Sequence, residues 1–574
     1  MHSVVHPDHR GTGKRGNPFF QSYETMDRRA FLAIPAASPS PLKTKRTERN
    51  LTTGINPYGG PWTYNEVVHL LKRTLFGSTL ADIEHFKSMS MSQAVDELLN
   101  PTSPLPMPPL KDYTGADTTA AGATWMNEET TDSSTNNYRR NSFKKWWMGV
   151  MLNQDRSLRE KLTLFWHNHF STETSTIDNA TFVYKHHDLL RQNALGNFKA
   201  LVRAVTIDPA MLVYLNGEKN TMVAPDENYA RELQELFTLG KENSPNYTED
   251  DVRTVARVLT GWRNNAATIQ SYFDETVHDT NNKTFSSSFY NGAVITGRTG
   301  PTGGDQELDD LINLIFSKSE EVSRFIVKKI YRWFVYYDID SSTMANVIEP
   351  LALIFRNSNW DIKAVMSALL KSEHFFDALN QGCLIKSPID LTVGLCREFK
   401  VAFPATYKEQ YALWDTLRSG AAQILQDIGD PPDVSGWKAY YQEPQFHEMW
   451  INSDTYPKRN QFTDIISVLG FTRSGQRIII DPIGFAKDLS NPADPNALIT
   501  DSLLILYRIP LSQASRDQIK KDILLTGQNT DYYWTNAWNA YIASPSDMMA
   551  YSTVNSRLQG LYKYFMNLAE YHLA

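Results

Sequence analysis

Cysteine is almost missing from this chain of 574 residues, which has only Cys383 and Cys396. Two thiols allow at most one internal disulfide, and no Cys-x-x-Cys pair exists, so neither a disulfide framework nor a thiolate metal knuckle organises the fold. Both are expected to be buried free thiols. No apolar run approaches the ~18 residues that span a bilayer, so no transmembrane segment is expected. Basic residues form no run beyond the N-terminal tail, and 57 Lys and Arg against 64 Asp and Glu leave a formal charge of only −7. That pattern excludes the electrostatic footprint of a nucleic-acid binder. HExxH, a glycine-rich phosphate loop and a GxSxG elbow are also absent, so no standard cofactor is specified. No fixed-period repeat occurs, which excludes a solenoid.

What is present is ample core material, 41% hydrophobic and 12% aromatic residues, arranged with helical spacing. Residues 1 to about 60 are rich in Ser, Pro, Thr and basic side chains and read as a flexible leader. Within it, the stretch from Met26 to Ala37 resembles a twin-arginine export signal through Arg28-Arg29. Its apolar part lasts about eight residues, shorter than a normal signal core. The chain is expected to be periplasmic or exported if this leader functions, and cytoplasmic otherwise. Met26 also reads as an alternative start to Met1.

From Thr63 a helix is predicted through Val67, Val68, Leu70, Leu71 and Leu75, stopping at Gly77. Short helices follow at 79 to 88 and 91 to 99, then a Pro-rich connector (101 to 109) and a polar insert to about 138. Helical patterns fill 141 to 262. The Asn/Thr/Gly-rich stretch 265 to 304 reads as loop or short strands. Helices resume at 305 to 338, 344 to 371, 386 to 401 and 406 to 427, pause at the Gly/Pro-rich segment 429 to 437, and continue from 457. The expected class is mainly α: a large multi-helix globular domain with long irregular loops and at most minor β.

Two of these helices carry polar groups where apolar ones are expected. In the first, Leu158, Leu162, Phe165 and Trp166 define an apolar arc. At about 100° per residue, His169 falls inside it, and His167 lies within about 20° of Glu160 on the far side. His169 is therefore expected to donate to a backbone carbonyl. Glu160 and His167 form either a hydrogen-bonded pair at a helix crossing or a carboxylate orienting an imidazole base or metal ligand. In the second, Glu232 lies among Tyr229, Leu233, Leu236, Phe237 and Leu239, with Asn228 and Glu235 on the same face. A buried Glu232 requires a cation or donor, such as an arginine, a histidine or a metal. Arg253 and Arg257, one turn apart on the next helix, are candidate partners. Asp208, before Pro209, reads as an N-cap, and Asp250 or Thr248 as the cap of the helix bearing these arginines.

Taken in order, Phe165-Trp166-His167-Asn168-His169-Phe170, the run from Arg191 to Phe198, Asp208-Pro209-Ala210-Met211, the run from Glu227 to Gly240, Leu259-Thr260-Gly261-Trp262, His278-Asp279, Lys386-Ser387-Pro388 and the run from Asp430 to Trp437 resemble the bacterial domain-of-unknown-function family 1800. The likeness covers roughly residues 60 to 470. It implies a family-like core at 61–470, with 471–574 as a C-terminal helical extension packed on it. Members of that family are often exported, some with twin-arginine leaders, and accompany a sulfatase-like family of unknown function. The resemblance therefore implies a periplasmic or surface pathway acting on a polymer or ester.

Two functional expectations follow. The first is a hydrolase-like enzyme with His167, Glu160 and Glu232 as catalytic groups, and Asn228, Arg257, Trp262 and Trp437 as binding groups. In its metal-dependent form, His167, Glu232, Glu235, His278 and Asp279 hold a divalent ion. Trp166, Trp262 and Trp437 have either a cleft or a core role. The second is a non-catalytic scaffold that partners the sulfatase-like protein, its buried polar residues fixing helix register.

Overall fold

Helix starts in this chain are written by short polar side chains. Thr63, Thr79 and Ser90 open α1 (Tyr64–Thr74), α2 (Leu80–Lys87) and α3 (Met91–Leu99), each with a reciprocal capping box to the third helical residue. The computed structural model describes residues 51–241, 245–437 and 449–574. Residues 1–50 of the leader, with Arg28-Arg29 and both candidate starts, lie outside the described residues; its last part, 51–60, is instead held to the segment 371–377, where the Tyr58 amide donates to the Lys371 carbonyl (2.8 Å) and the His374 amide to the Gly54 carbonyl (3.1 Å).

The polar insert proves helical earlier than expected. Asp132 caps α4 (Ser133–Leu152) through the Thr135 amide, so Ser, Thr and Asn, poor helix formers, are recruited by the cap and by burial of Thr135 and Asn136. Next come α5 (Arg159–His169), α6 (Ala180–Gln192), α7 (Phe198–Thr206) and α8 (Pro209–Tyr214). Asp208 caps α8, with Pro209 in its first turn. The helix α9 (Asn228–Glu232) runs directly into a wider π-helical segment, Leu233–Thr238. Thr248, in a capping box with Asp251, opens α10 (Glu249–Val258). Trp262 ends no helix; it begins β1 (Trp262–Asn265), which pairs antiparallel with β2 (Gln270–Phe273). The irregular region adds a second two-stranded pair, β3 (Lys283–Thr284) with β4 (Val294–Ile295), and a short α11 (Ser287–Tyr290) between them.

Then α12 (Gly303–Ser317) and α13 (Ser319–Phe334) precede α14 (Ser341–Thr343), α15 (Glu349–Asn357), α16 (Ile362–Leu370), α17 (Pro388–Glu398) and α18 (Tyr407–Gln423). The described C-terminal part is helical apart from a hairpin, Phe471–Arg473 with Gln476–Ile478. It docks on α1, α17 and the segment before α17: Arg508 donates to the Asn65 carbonyl (3.1 Å), Tyr571 donates to Glu398 (3.1 Å), and Ile385 bridges Leu573. The chain is mainly α, with three small antiparallel pairs among the described residues. No helix of the described residues is long and apolar enough to cross a membrane. Both cysteines are free thiols, Cys396 buried and Cys383 partly so.

The core is built around α4, which packs along α18 and beside α17 and α6, with α5 against α6. Close approach is set by glycine. A Cβ at Gly77, at the end of the first helix, would lie 2.5 Å from the Gly394 carbonyl oxygen of α17, and Gly77 has φ +73°. Gly77→Ala is therefore expected to destabilise the protein by at least about 2 kcal/mol, measured as a lowered urea midpoint.

Candidate functional site

All of α5 is buried except Arg159 and Asn168, so its polar side chains must find partners inside the protein. Glu160 finds Arg191 on α6, in a fork of two short contacts, Nε to Oε1 at 2.9 Å and Nη2 to Oε2 at 2.8 Å. The guanidinium also meets His187 Nδ1 (3.1 Å) and lies over the Trp146 ring. Glu160 is thus not the partner of His167. The two share a helix face but stand two turns apart, about 10 Å along the axis, and a neighbouring helix offers a planar, doubly hydrogen-bonding cation much closer. At the same end of α5, Arg159 and Glu160 border an apolar cavity of about 520 Å³ with Trp146, Tyr411 and Trp414.

His169 donates from Nε2 to the Phe237 carbonyl (3.1 Å), as expected of a core histidine, while the Lys329 ammonium donates to Nδ1 (3.3 Å) and to the Leu236 carbonyl (3.0 Å). Burial and Lys329 hold this imidazole well below its ordinary pKa. Both carbonyls belong to the π-helical end of the second charged helix, where a helix leaves its last carbonyls without internal partners. His169 and Lys329 supply those partners and tie α5, the π-helical segment and α13 together.

His167 faces elsewhere. It is 3% exposed and lies edge-on to Trp147 (5.0 Å between centroids) and near Trp437 (5.8 Å). Neither ring nitrogen has a hydrogen-bond partner among the described residues. Burial first, then His186 and Lys144, against the pull of Asp430, bring its pKa down to about 3. His167 is neutral at physiological pH. His186, its neighbour, bonds Asp208 (3.0 Å) and belongs to the capping of α8.

The segment 430–437 closes over this end of α5. A Cβ on Gly436, at φ +82°, would sit 2.2 Å from the Asn168 carbonyl oxygen, and the Trp437 amide donates to Asn168 Oδ1 (2.6 Å). Asp430 accepts from Thr174 Oγ1 (2.7 Å) and the Ser175 amide (3.0 Å), and Lys144 ion-pairs with its other oxygen. Against the burial that would raise it, Lys144 and these donors hold the Asp430 carboxyl below the usual range.

Glu232 behaves in the opposite way. It is half-buried and makes no hydrogen bond or ion pair among the described residues. Burial, then repulsion from Glu235 and Asp433, raise its pKa against Arg231 and Lys241. Asp433 and Asp430 also act, after burial and Glu173, on Tyr214, whose hydroxyl donates to Glu173 (3.3 Å). Glu173, Asp430, Asp433 and Glu232 therefore border one acidic neighbourhood at the 430–433 turn. Glu232 meets neither His167 nor Arg253 or Arg257.

The other expected groups lie elsewhere. Glu235 accepts from Tyr247 (2.7 Å) and faces Lys241. Asn228 is exposed at the start of α9, its amide on Asp226. Arg257 ion-pairs with Asp279 (2.7 Å), and Arg253 stays on the surface with Asp250 and Glu227. His278 bonds Glu307 (3.1 Å) and the Thr260 carbonyl (2.8 Å), and Lys283 pairs with the other Glu307 oxygen (2.5 Å). This is a closed network. Trp262 packs on Phe273 and Trp166 donates to the Ala194 carbonyl; these two and Trp437 are all buried, in core roles. Among the described residues no three His, Cys, Asp or Glu side chains converge as a metal requires. The five expected ligands do not fit a divalent ion, because each is committed to a different partner or direction.

Sequence reasoning missed Arg191, Glu307 and the Lys144–Asp430 pair. Arg191 and Asp430 stood in the motifs singled out above. Glu307 gave a usable signal, a carboxylate on the apolar stripe of α12 one turn before Leu311.

The geometry defines an α-helical protein with buried ionic struts and one acidic neighbourhood beside a glycine–tryptophan turn. The family described as protein of unknown function (DUF1800) matches residues 69–550, and the chain belongs to it. No curated protein and no solved structure matches the chain.

Two outcomes are expected here. Arg191→Met leaves the buried Glu160 charged, with only the more distant Arg159 Nε (3.9 Å) near it, and should cost about 3 kcal/mol in chemical denaturation. A Glu160→Gln/Arg191→Met double variant should lose less than the sum of the single changes. The depressed pKa of His167 stabilises the fold above its ordinary value of 6.5, and that share is lost as pH falls toward about 3. His167→Phe should flatten the stability–pH curve across this window, read by thermal melts at stepped pH.

Proposed function

We propose that this protein is a hydrolase whose reaction is carried by carboxylates at the 430–433 turn, acting on an ester or glycosidic bond of a polymer. Glu232 protonates the leaving oxygen, and Asp430, the carboxylate of this turn held ionised, takes the proton from the attacking water. The observation that carries this reading is the split between neighbouring carboxylates: Asp430 is held ionised by Lys144, whereas Glu232 is unpaired and raised. Environments that drive two acids apart are how acid and base roles are divided at one pH. Glu232 also sits where α9 widens into the π-helical segment, a distortion frequent at functional sites. Glu160 and His167 enter this reading as supports rather than as reacting groups.

A second reading, a non-catalytic scaffold that partners a sulfatase-like protein, is favoured by the closed networks around Glu160, His169 and His278. The two readings separate at Glu232. A raised carboxyl pKa adds stability only below its ordinary 4.5 and loses it as pH rises. Glu232→Gln should therefore melt at or above the wild-type temperature at neutral pH, while cleavage of a chromogenic ester and glycoside panel falls about 10²–10⁴-fold. Strong destabilisation by Glu232→Gln, with no turnover across the panel by either protein, would establish the scaffold instead.

A further inference from the structure

A second polar centre lies away from the acidic turn, in a cavity of about 60 Å³ bordered by Lys72, Arg73, Lys161, Lys386, Asp390 and Gln426. Four cations face it, and two carboxylates answer them. Asp390 is engaged by Lys161 and by Ser387, whose side chain it holds as the cap of α17. Glu398 is shared by Lys72 (2.5 Å) and Lys386 (3.8 Å), and accepts from Tyr571. Arg73 meets no carboxylate among the described residues. Its Nη atoms donate to the backbone carbonyls of Val335 and Asn380, and its Nε has no partner among the described residues. Arg73 is 3% exposed and Gln426 1%; Gln426 Oε1 accepts from the Ile389 amide, leaving Nε2 equally unserved. Behind the cavity, Arg459 donates to the Lys386 carbonyl (2.8 Å) and has an unserved Nη1.

Counting Arg459, five cations stand against three carboxylates, those of Asp390, Glu398 and Ala574; a buried surplus of two positive charges, with donors left over, is costly unless an anion offsets it. Lys386 registers that cost. Burial, with Lys72 and Arg508 adding to it and Glu398 and Asp390 opposing, brings its ammonium down to about 7. Ala574 also borders the cavity, yet its carboxylate makes no ion pair among the described residues. The volume is several times the ~10–15 Å³ that admits one water, which suits a compact group and no larger body.

We infer that this cavity is a binding site for a tetrahedral dianion, a sulfate or phosphate group, held by Arg73, Lys386 and Gln426 with Lys72 and Lys161 completing the field. The site is separate from the carboxylates of the proposed reaction and stands or falls without them. Two negative charges match the surplus, and a guanidinium edge with an amide N–H gives directed donors to such oxygens.

The test is equilibrium dialysis of the full chain against labelled sulfate and, in a second arm, inorganic phosphate. One saturable site per chain is expected, weakened about tenfold or more by Lys386→Gln. The control Lys400→Gln, on an exposed lysine paired with Asp488, should leave it unchanged. Absence of saturable binding of either ion up to about 10 mM, or binding indifferent to Lys386→Gln, would overturn the inference and leave these charges balanced within the chain. If Lys386→Gln does not fold, selenate soaked into wild-type crystals decides: an anomalous peak in the cavity is the expected result, and a cavity without one refutes it.

Discussion

The helix Arg159–His169 is surrounded by protein on nearly every side, and the rest of the architecture answers that constraint. A carboxylate and two imidazoles enclosed there must each be met by something the neighbouring helices bring. α6 brings Arg191, and its fork fixes the crossing of two helices through a pair of parallel hydrogen bonds. The π-helical segment Leu233–Thr238 brings the carbonyl of Phe237 and α13 the ammonium of Lys329. The turn at 430–437 brings Trp437 and the charge of Asp430. The hydrogen bonds to Glu160 and His169 are directional, so they fix position as well as supplying energy, whereas His167 is held by ring packing.

This division sorts the polar residues by what surrounds them. Glu160, Glu307 and Glu398 are carboxylates deep in the core, and each has a cation within hydrogen-bonding reach. Glu232 is less buried, has none, and stands beside further carboxylates. The other deeply buried acids are met and Glu232 is not, and that contrast is what makes it the candidate acid of the proposed reaction.

Much of the fold was legible in the sequence because its signals are local. Thr63, Thr79, Ser90, Asp208 and Thr248 announce helix starts through hydrogen bonds closed within three residues, and the apolar spacing behind them does the rest. The role of His169 followed from its angle alone. The partners did not follow, because angle on one helix says nothing about what the next helix carries. Glu160 and His167 align in projection and are two turns apart in space. Glu232 looked as though it needed an arginine, but Arg257 was already committed to Asp279, a residue in a loop whose path no periodicity reveals. The polar first turn of α4 was hidden for a related reason: its cap and its tertiary burial outweigh the weak propensity of Ser, Thr and Asn.

The π-helical segment Leu233–Thr238 has a meaning for how this chain tolerates change in length. A π turn holds one residue more than an α turn, so the segment amounts to a single-residue insertion absorbed without breaking the helix. Everything before it, including Glu232, keeps one rotational setting, and everything after it, including the Phe237 carbonyl, keeps another. Deleting one residue here would restore an ordinary helix, yet rotate the two halves by about 100° relative to each other. The acid at the turn and the anchor on α5 could then no longer both be in place. The surplus residue works as a coupling with a fixed offset, letting one helix serve two neighbours that lie in different directions.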